Sequence, residues 1–170
     1  MKLLKILLKI YNKCYNKGVN EVNNMKSIYL QAKDFKKKFK GTVAFRIREH
    51  ASVVQKHLNP DEKVLYVFCG QKNYSSWIII NSCVIALTNK RIIIGQKRLL
   101  WGYFFTTITP DMYNDLKVRN NLIWSDVEID TVKENVYISN LSPEGAIDVE
   151  TVITTFMMKE KKRYGRPIHK

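Results

Sequence analysis

Residues 84–93 read Val84-Ile85-Ala86-Leu87-Thr88-Asn89-Lys90-Arg91-Ile92-Ile93, an apolar run on each side of a polar turn. Val and Ile on either flank are strand material. Thr88-Asn89-Lys90 between them reads as a tight hairpin turn, because Asn tolerates the positive φ such turns need. Working outward, a period of two runs through the middle of the chain and predicts strands over 63–71, 77–87, 91–96, 99–109, 112–119, 122–131 and 135–141. Asn120-Asn121 supplies another turn. Seven antiparallel strands joined by short connections predict a sandwich or a partly open barrel.

At residue 142 the period changes. Ser142 suits an N-cap, Pro143 the first helical position, and Glu144 the positive end of a helix dipole. Val149, Val152, Ile153 and Phe156 then form one face, predicted to close an end of the barrel. Lys159 to Lys162 favour the helix C-terminus, and Gly165 with Pro167 ends it.

Upstream of the strands the pattern is helical. Over Met1–Lys17, Lys2, Lys5, Lys9 and Lys13 fall with Asn12 and Asn16 in a sector of about 100°, and the remaining arc is apolar. A basic amphipathic helix of this kind suits a membrane interface, and it equally suits packing on the body or on a second subunit. A second helix is predicted from about 25 to 40, with Ile28, Ala32, Phe35 and Phe39 as its apolar stripe and Lys33, Lys36, Lys37, Lys38 and Lys40 around it. With Gly41 as C-cap and Thr42 as N-cap, a third follows, carrying Val43, Ile47, Ala51, Val54 and Leu58 on one face.

Charge follows the same division. Residues 1–57 carry fourteen Lys and Arg against three acids, residues 58–162 carry twelve of each, and the last eight residues add three cations to reach +14. A neutral body with basic extensions reads as a binding protein that approaches an anionic partner. Three widely spaced cysteines, Cys14, Cys69 and Cys83, suit buried thiols in a reducing cytoplasm. The longest apolar runs fall far short of the roughly 20 residues a membrane helix needs.

The hairpin at 84–93 resembles that of bacterial pleckstrin-homology (PH) domains, particularly the YokE-like group. The resemblance continues through Gly95-Gln96-Lys97-Arg98, Trp101-Gly102, Ile108-Thr109-Pro110-Asp111-Met112 and Val127-Glu128-Ile129-Asp130-Thr131. It implies an α+β fold: a PH-like seven-stranded antiparallel barrel closed by a C-terminal helix. That gives a basic helical extension over 1–58, the PH-like domain over 59–162 and a basic tail over 163–170. It further implies a noncatalytic binding or scaffolding module. By analogy with the fold, the open barrel end offers Lys72, Tyr74, Lys97, Arg98 and Lys133 beside Trp77 and Trp101, a set suited to a phosphate or acidic ligand. Phosphoinositide-binding PH domains place paired basic residues early in the second strand. Here that strand opens Trp77-Ile78-Ile79-Ile80-Asn81 without one.

Enzymatic readings lack their constellations. The seven glycines are isolated, no GxSxG turn occurs, and His50, His57 and His169 have no partners at metal-ligand spacing. Asp126, Glu128 and Asp130 alternate along one strand as a solvent-facing row, with Trp124 on the same parity either turned in by a bulge or marking a partner surface. No cofactor or metal is expected. The partner expected is an anionic membrane, at the inner face of which the protein sits through its basic helices. The alternative is a protein partner or a homo-oligomer, and nucleic acid fits least because the strands themselves are neutral.

Overall fold

The computed structural model describes residues 28–73, Trp77 and residues 79–164. Two helices lead in, α1 covering residues 28–38 and α2 Ile47–Lys56. Seven strands follow: β1 (Val64–Gln71), β2 (Ser82–Thr88), β3 (Ile92–Lys97), β4 (Tyr103–Ile108), β5 (Tyr113–Asn120), β6 (Ser125–Thr131) and β7 (Asn135–Leu141), before the long helix α3 (Pro143–Tyr164). All strand pairs are antiparallel, in the order β4-β3-β2-β1-β7-β6-β5. Among the described residues β1 meets β7 at the one pair Gln71–Ser139, so the sheet turns sharply at this seam and becomes barrel-like. The predicted α+β architecture is the one observed.

The period-two pattern in β6 has a direct structural counterpart. Ser125, Val127, Ile129 and Thr131 are buried, while Asp126, Glu128 and Asp130 are partly exposed between them. β2 behaves differently, with all seven residues buried. The barrel interior takes one of its faces and α2, which lies over β2 and β3, takes the other. Gly95 permits that approach: a Cβ there would lie 2.7 Å from Val54 Cγ2, 2.9 Å from Val54 N and 3.0 Å from His50 O. Any side chain would lever the helix away from the sheet.

The stripe Ile28, Ala32, Phe35 and Phe39 is buried as predicted, and it docks α1 between β1 and α3. The Phe35 ring lies 6.3 Å from that of Tyr66 and 5.9 Å from that of Phe68. Gly145 of α3 leaves room for it, since a Cβ would sit 3.2 Å from Phe39 and 3.3 Å from Phe35. α1, α2 and the barrel therefore share one core. At the start of α3, Ser142 caps as expected, its Oγ accepting the Gly145 N–H at 3.1 Å.

Several expectations are corrected. The third helix begins at Ile47 rather than after Thr42, because residues 42–46 are spent on the barrel rim. Val43 N donates to Asn140 O at 2.9 Å, Gln71 Nε2 to Val43 O at 3.0 Å, and Phe45 N to Ser82 Oγ at 2.8 Å. Thr42 Oγ1 caps nothing in α2; it accepts Ser142 N at 3.2 Å. The buried face of α3 is Ala146, Val149, Ile153 and Met157, with Val152 and Phe156 partly buried beside it. The β5–β6 turn is 121–124, closed by Asn121 N to Trp124 O at 2.9 Å, and Asn120 ends β5. Trp124 is neither turned into the core nor free: its Nε1 donates to Gly41 O at 3.0 Å. Finally, β2 and β4 begin at Ser82 and Tyr103, so Trp77, Ile79 and Ile80 and the loop 99–102 stand outside the sheet.

Candidate functional site

The hairpin that decides the fold is held by buried polar chemistry. The Glu62 carboxylate, fully buried, accepts Arg91 Nε at 2.9 Å and Nη2 at 3.0 Å, Thr88 Oγ1 at 2.8 Å and Asn59 N at 3.0 Å. Arg91 Nη2 also donates to His57 O at 2.9 Å, tying the end of α2 to the same knot. Inside the turn, Thr88 Oγ1 accepts Lys90 N and Arg91 N, and Asn89 Oδ1 accepts Lys63 N at 2.8 Å. Burial pushes the Glu62 carboxyl upward, but the hydrogen bonds from Arg91, Asn59 and Thr88 outweigh it and hold the group below its ordinary value. The Thr88–Arg91 motif thus fixes register and is not available to a ligand.

The residues displaced from the sheet form an exposed face at the other end of β2 and β3. Trp77 is 87% exposed, Ile80 85%, Leu99 80%, Leu100 81% and Trp101 84%. Ile79, Ile80 and Leu99 line one cavity, and exposed apolar side chains gathered in this way mark an interaction site. The loop 98–102 holds its shape through Arg98 N to Gly102 O at 3.2 Å, with Gly102 at φ 74, where a glycine carries no steric cost. Arg98 lies over the Phe104 ring at 4.9 Å.

Between this face and α2 lies a cavity of about 490 Å³, lined by Phe45, Arg46, His50, Ile79, Ile80, Asn81, Ser82, Gln96, Lys97, Arg98, Leu99 and Phe104. Its size falls in the range of small-molecule sites, and its mixture of apolar walls with few polar groups is typical of them. Three of its lining residues are cationic and none is acidic. Arg46 is held with φ 49 and ψ 38, a left-handed conformation that costs a non-glycine residue about 1 kcal/mol or more. His50 is buried, and its Nδ1 accepts Lys97 N at 2.8 Å. That bond makes Nδ1 the acceptor, so the neutral ring carries its proton on Nε2. Burial, then the charge of Arg46, lowers the His50 pKa to about 4 against the opposing charge of Glu49.

The sequence-predicted site residues divide. Lys97 and Arg98 line the cavity, and Trp77 and Trp101 sit on the loops that border it. Lys72 points elsewhere, with Nζ donating to Thr106 Oγ1 at 2.9 Å, and exposed Lys133 lines a smaller recess of about 260 Å³ that includes Thr106. Tyr74 lies outside the described residues, as do Lys2, Lys5, Lys9 and Lys13. In α1, Lys36 donates to Ala44 O and Lys38 pairs with Asp148 at 3.4 Å, whereas Lys33, Lys37 and Lys40 are exposed. Phe45, Arg46 and His50 were read in the sequence as part of a helix, and their place in a cavity wall depends on the bend at 42–46. No sequence signal marks that bend.

Among the described residues no three His, Cys, Asp or Glu side chains are placed to hold a metal ion. The β6 carboxylates have protein partners: Glu128 takes Arg119, Asn135 Nδ2 and Tyr137 OH, and Asp126 takes Asn121 Nδ2.

A sequence model of the bacterial PH domain matches residues 58–155, more than half of the chain. The chain belongs to the bacterial PH domain family. The seven strands and the helix that follows them fit that assignment. PH domains serve in general as noncatalytic binding modules for lipids or proteins, which agrees with the expectation from the residues. The PH match begins after α2, so Phe45, Arg46 and His50, which form one wall of the cavity, lie outside the matched segment. No curated protein matches the chain.

Proposed function

We propose that this bacterial PH domain is a peripheral membrane module that settles on anionic lipid through the face built from Trp77, Ile79, Ile80, Leu99, Leu100 and Trp101. The observation that carries the reading is the pairing of that exposed apolar group with Arg46, Lys97 and Arg98 at its base. An apolar tip below a cationic collar is what an interfacial site requires. The tip enters the headgroup boundary, and each nearby cation adds about 1 kcal/mol against an anionic surface. The basic residues Lys2, Lys5, Lys9 and Lys13 of the leader, with exposed Lys33, Lys37 and Lys40, would add further attraction. The Val84–Ile93 hairpin supports a place in the YokE-like group. Free, buried Cys69 and Cys83 support the inner, reducing side of the membrane. No helix among the described residues is long and apolar enough to cross a membrane.

The test is co-sedimentation of the full chain with neutral and anionic vesicles at low and high salt. Binding to anionic vesicles alone, weakened by salt and reduced at least tenfold by joint replacement Leu100→Ser and Trp101→Ser, is the expected result. Removing residues 1–24 separates the leader's share while leaving every described residue in place. If all vesicles are ignored and light scattering shows a mass rising with concentration, the same face serves self-association or a protein partner instead.

A further inference from the structure

The seven-stranded sheet has two end strands, and they are guarded differently. β5, at one end, carries Asp115, Lys117 and Arg119 and breaks register between Tyr113 and Asp115. Charges and bulges of this kind keep a sheet edge from pairing with another chain. β4, at the other end, has neither. Tyr103–Ile108 holds no charged residue, no proline and no glycine, and its register with β3 runs unbroken from Lys97 opposite Tyr103 to Ile92 opposite Ile108. Phe105, Thr106, Thr107 and Ile108 all line the recess of about 260 Å³. Successive strand side chains point to opposite faces, so a recess touching all four lies at the strand's edge.

The direction of the backbone groups of β4 follows from the ladder. Thr88 N donates to Arg91 O at 2.9 Å, so Arg91 and every second residue after it turn to β2. Ile92, Ile94 and Gln96 therefore turn to β4, where they face Ile108, Thr106 and Phe104. Arg98 N to Gly102 O at 3.2 Å continues the same alternation. Tyr103, Phe105 and Thr107 are left with N–H and C=O turned outward, and no strand pairs with that edge among the described residues. The strand is also held in place. The His57 ring stacks on Phe105 at 4.0 Å, and Thr106 Oγ1 accepts Lys72 Nζ at 2.9 Å. A strand fixed beforehand loses little freedom on pairing.

From this geometry we infer that the free edge of β4 pairs antiparallel with β4 of a second copy, about a two-fold axis through Phe105. An interface of that kind requires a strip that complements itself, and this one does. With Phe105 opposite Phe105 of the second copy, Tyr103 lies opposite Thr107 and Thr107 opposite Tyr103. Each of these pairs exchanges both of its N–H···O bonds, so no outward backbone group of the strand is left over. Between them Phe104 meets Thr106 of the second copy, and aromatic residues beside β-branched ones are favourable cross-strand neighbours. Charge favours the same occupant. Two chains of net charge +14 repel over most of their surfaces, and a strand without a charge is where they meet at least cost. The inference goes beyond the membrane reading and stands apart from it, since the strip is backbone edge and not the Leu100–Trp101 tip.

The experiment is sedimentation equilibrium of the full chain without lipid, from about 1 μM to about 1 mM, a range that spans weak and moderate pairing. The mass should rise from that of one chain to that of two and stop there, because a two-fold contact closes on itself. Thr107→Pro removes an outward N–H and no bond to β3, so it should weaken the dimer at least tenfold while the urea midpoint of the monomer stays near that of the wild type. Tyr103→Lys, at a side chain 47% exposed, places a charge on the edge and should do the same. Leu100→Ser with Trp101→Ser, which strips the membrane face, should leave the dimer within twofold. A monomer at every concentration, a mass that climbs past two chains, or dimers undiminished in both Thr107→Pro and Tyr103→Lys overturns the inference. So does loss of the dimer in the double serine variant alone, which would assign self-association to the exposed face. Vesicle binding by a chain that never dimerises removes the strand assignment and leaves the membrane reading. Dimerisation without vesicle binding does the reverse.

Discussion

Arg91→Met tests the buried knot that holds the diagnostic hairpin in register. The Glu62 side chain is fully buried and that of Arg91 is only 18% exposed, with two hydrogen bonds of 2.9 and 3.0 Å between them. Removing one partner of such a pair leaves an uncompensated buried charge and costs about 3–5 kcal/mol. With a urea m-value of about 2 kcal/mol per molar, the midpoint at pH 7 should fall by about 2 M. The melting temperature should fall on the order of 10 °C. The effect has a pH signature. In the wild type the Glu62 pKa is depressed, so its stabilisation is present above the ordinary carboxyl range and lost as pH falls below it. In the variant, burial acts without Arg91 and raises that pKa, so stability is lost as pH rises through the new value. The gap between the two proteins should therefore be widest near neutrality and narrow on acidification toward pH ~4.5. The double variant Arg91→Met with Glu62→Leu removes both charges and should recover to within about 1 kcal/mol of wild type. Urea titrations of the three proteins at several pH values decide the matter. A single-variant loss below about 1 kcal/mol, a gap independent of pH, or a double variant as unstable as the single refutes the reasoning.

Gly95→Ala should cost about 1–3 kcal/mol in urea melts, because two of the three atoms its Cβ would meet are backbone of α2 and cannot rotate away. The same change should disturb NMR shifts of His50 and Arg46 across the cavity. His50→Gln keeps an acceptor for Lys97 N–H but removes the titration. Since the folded pKa of His50 is about 4, the wild type should lose stability as pH falls from about 6.5 toward 4. The variant should lack that part, on the order of 1–2 kcal/mol after discounting for solvent reaching the ring. Equal pH slopes for the two proteins would count against a neutral buried imidazole. Ser142→Ala removes the cap at the start of α3 and should lower stability by about 1 kcal/mol with no change in vesicle binding, measured by thermal melts and co-sedimentation.

Much of the fold was legible in the residues. The Val84–Ile93 hairpin, the alternation through β6 and the Ser142-Pro143 start of α3 are local signals, and local signals survive folding when the tertiary structure satisfies them. The misreadings share a physical origin. The apolar stretches Trp77–Ile80 and Leu99–Trp101 have strand composition, and composition cannot tell an apolar residue kept for the core from one kept for a partner. Thr42 has the chemistry of an N-cap, yet its hydroxyl went to Ser142, a hundred residues away. Of the predicted binding set, Lys97 and Arg98 line the cavity and Trp77 and Trp101 lie on the loops beside it. Lys72 and Lys133 diverged from it because which side of a barrel rim a loop lysine reaches depends on β4, far off in sequence.

The sequence by itself therefore determined the seven strands, the closing helix, the buried stripe of α1 and the basic character of the chain, since each is written in periodicity or composition over neighbouring residues. Only the tertiary structure decided that α2 lies against Gly95, that Arg91 spends its charge on Glu62, and that Phe45, Arg46 and His50 meet Lys97, Arg98 and Phe104 around one cavity. Those outcomes join residues roughly 30 to 60 positions apart through shape and hydrogen bonding, and no local pattern encodes where two such distant surfaces will touch.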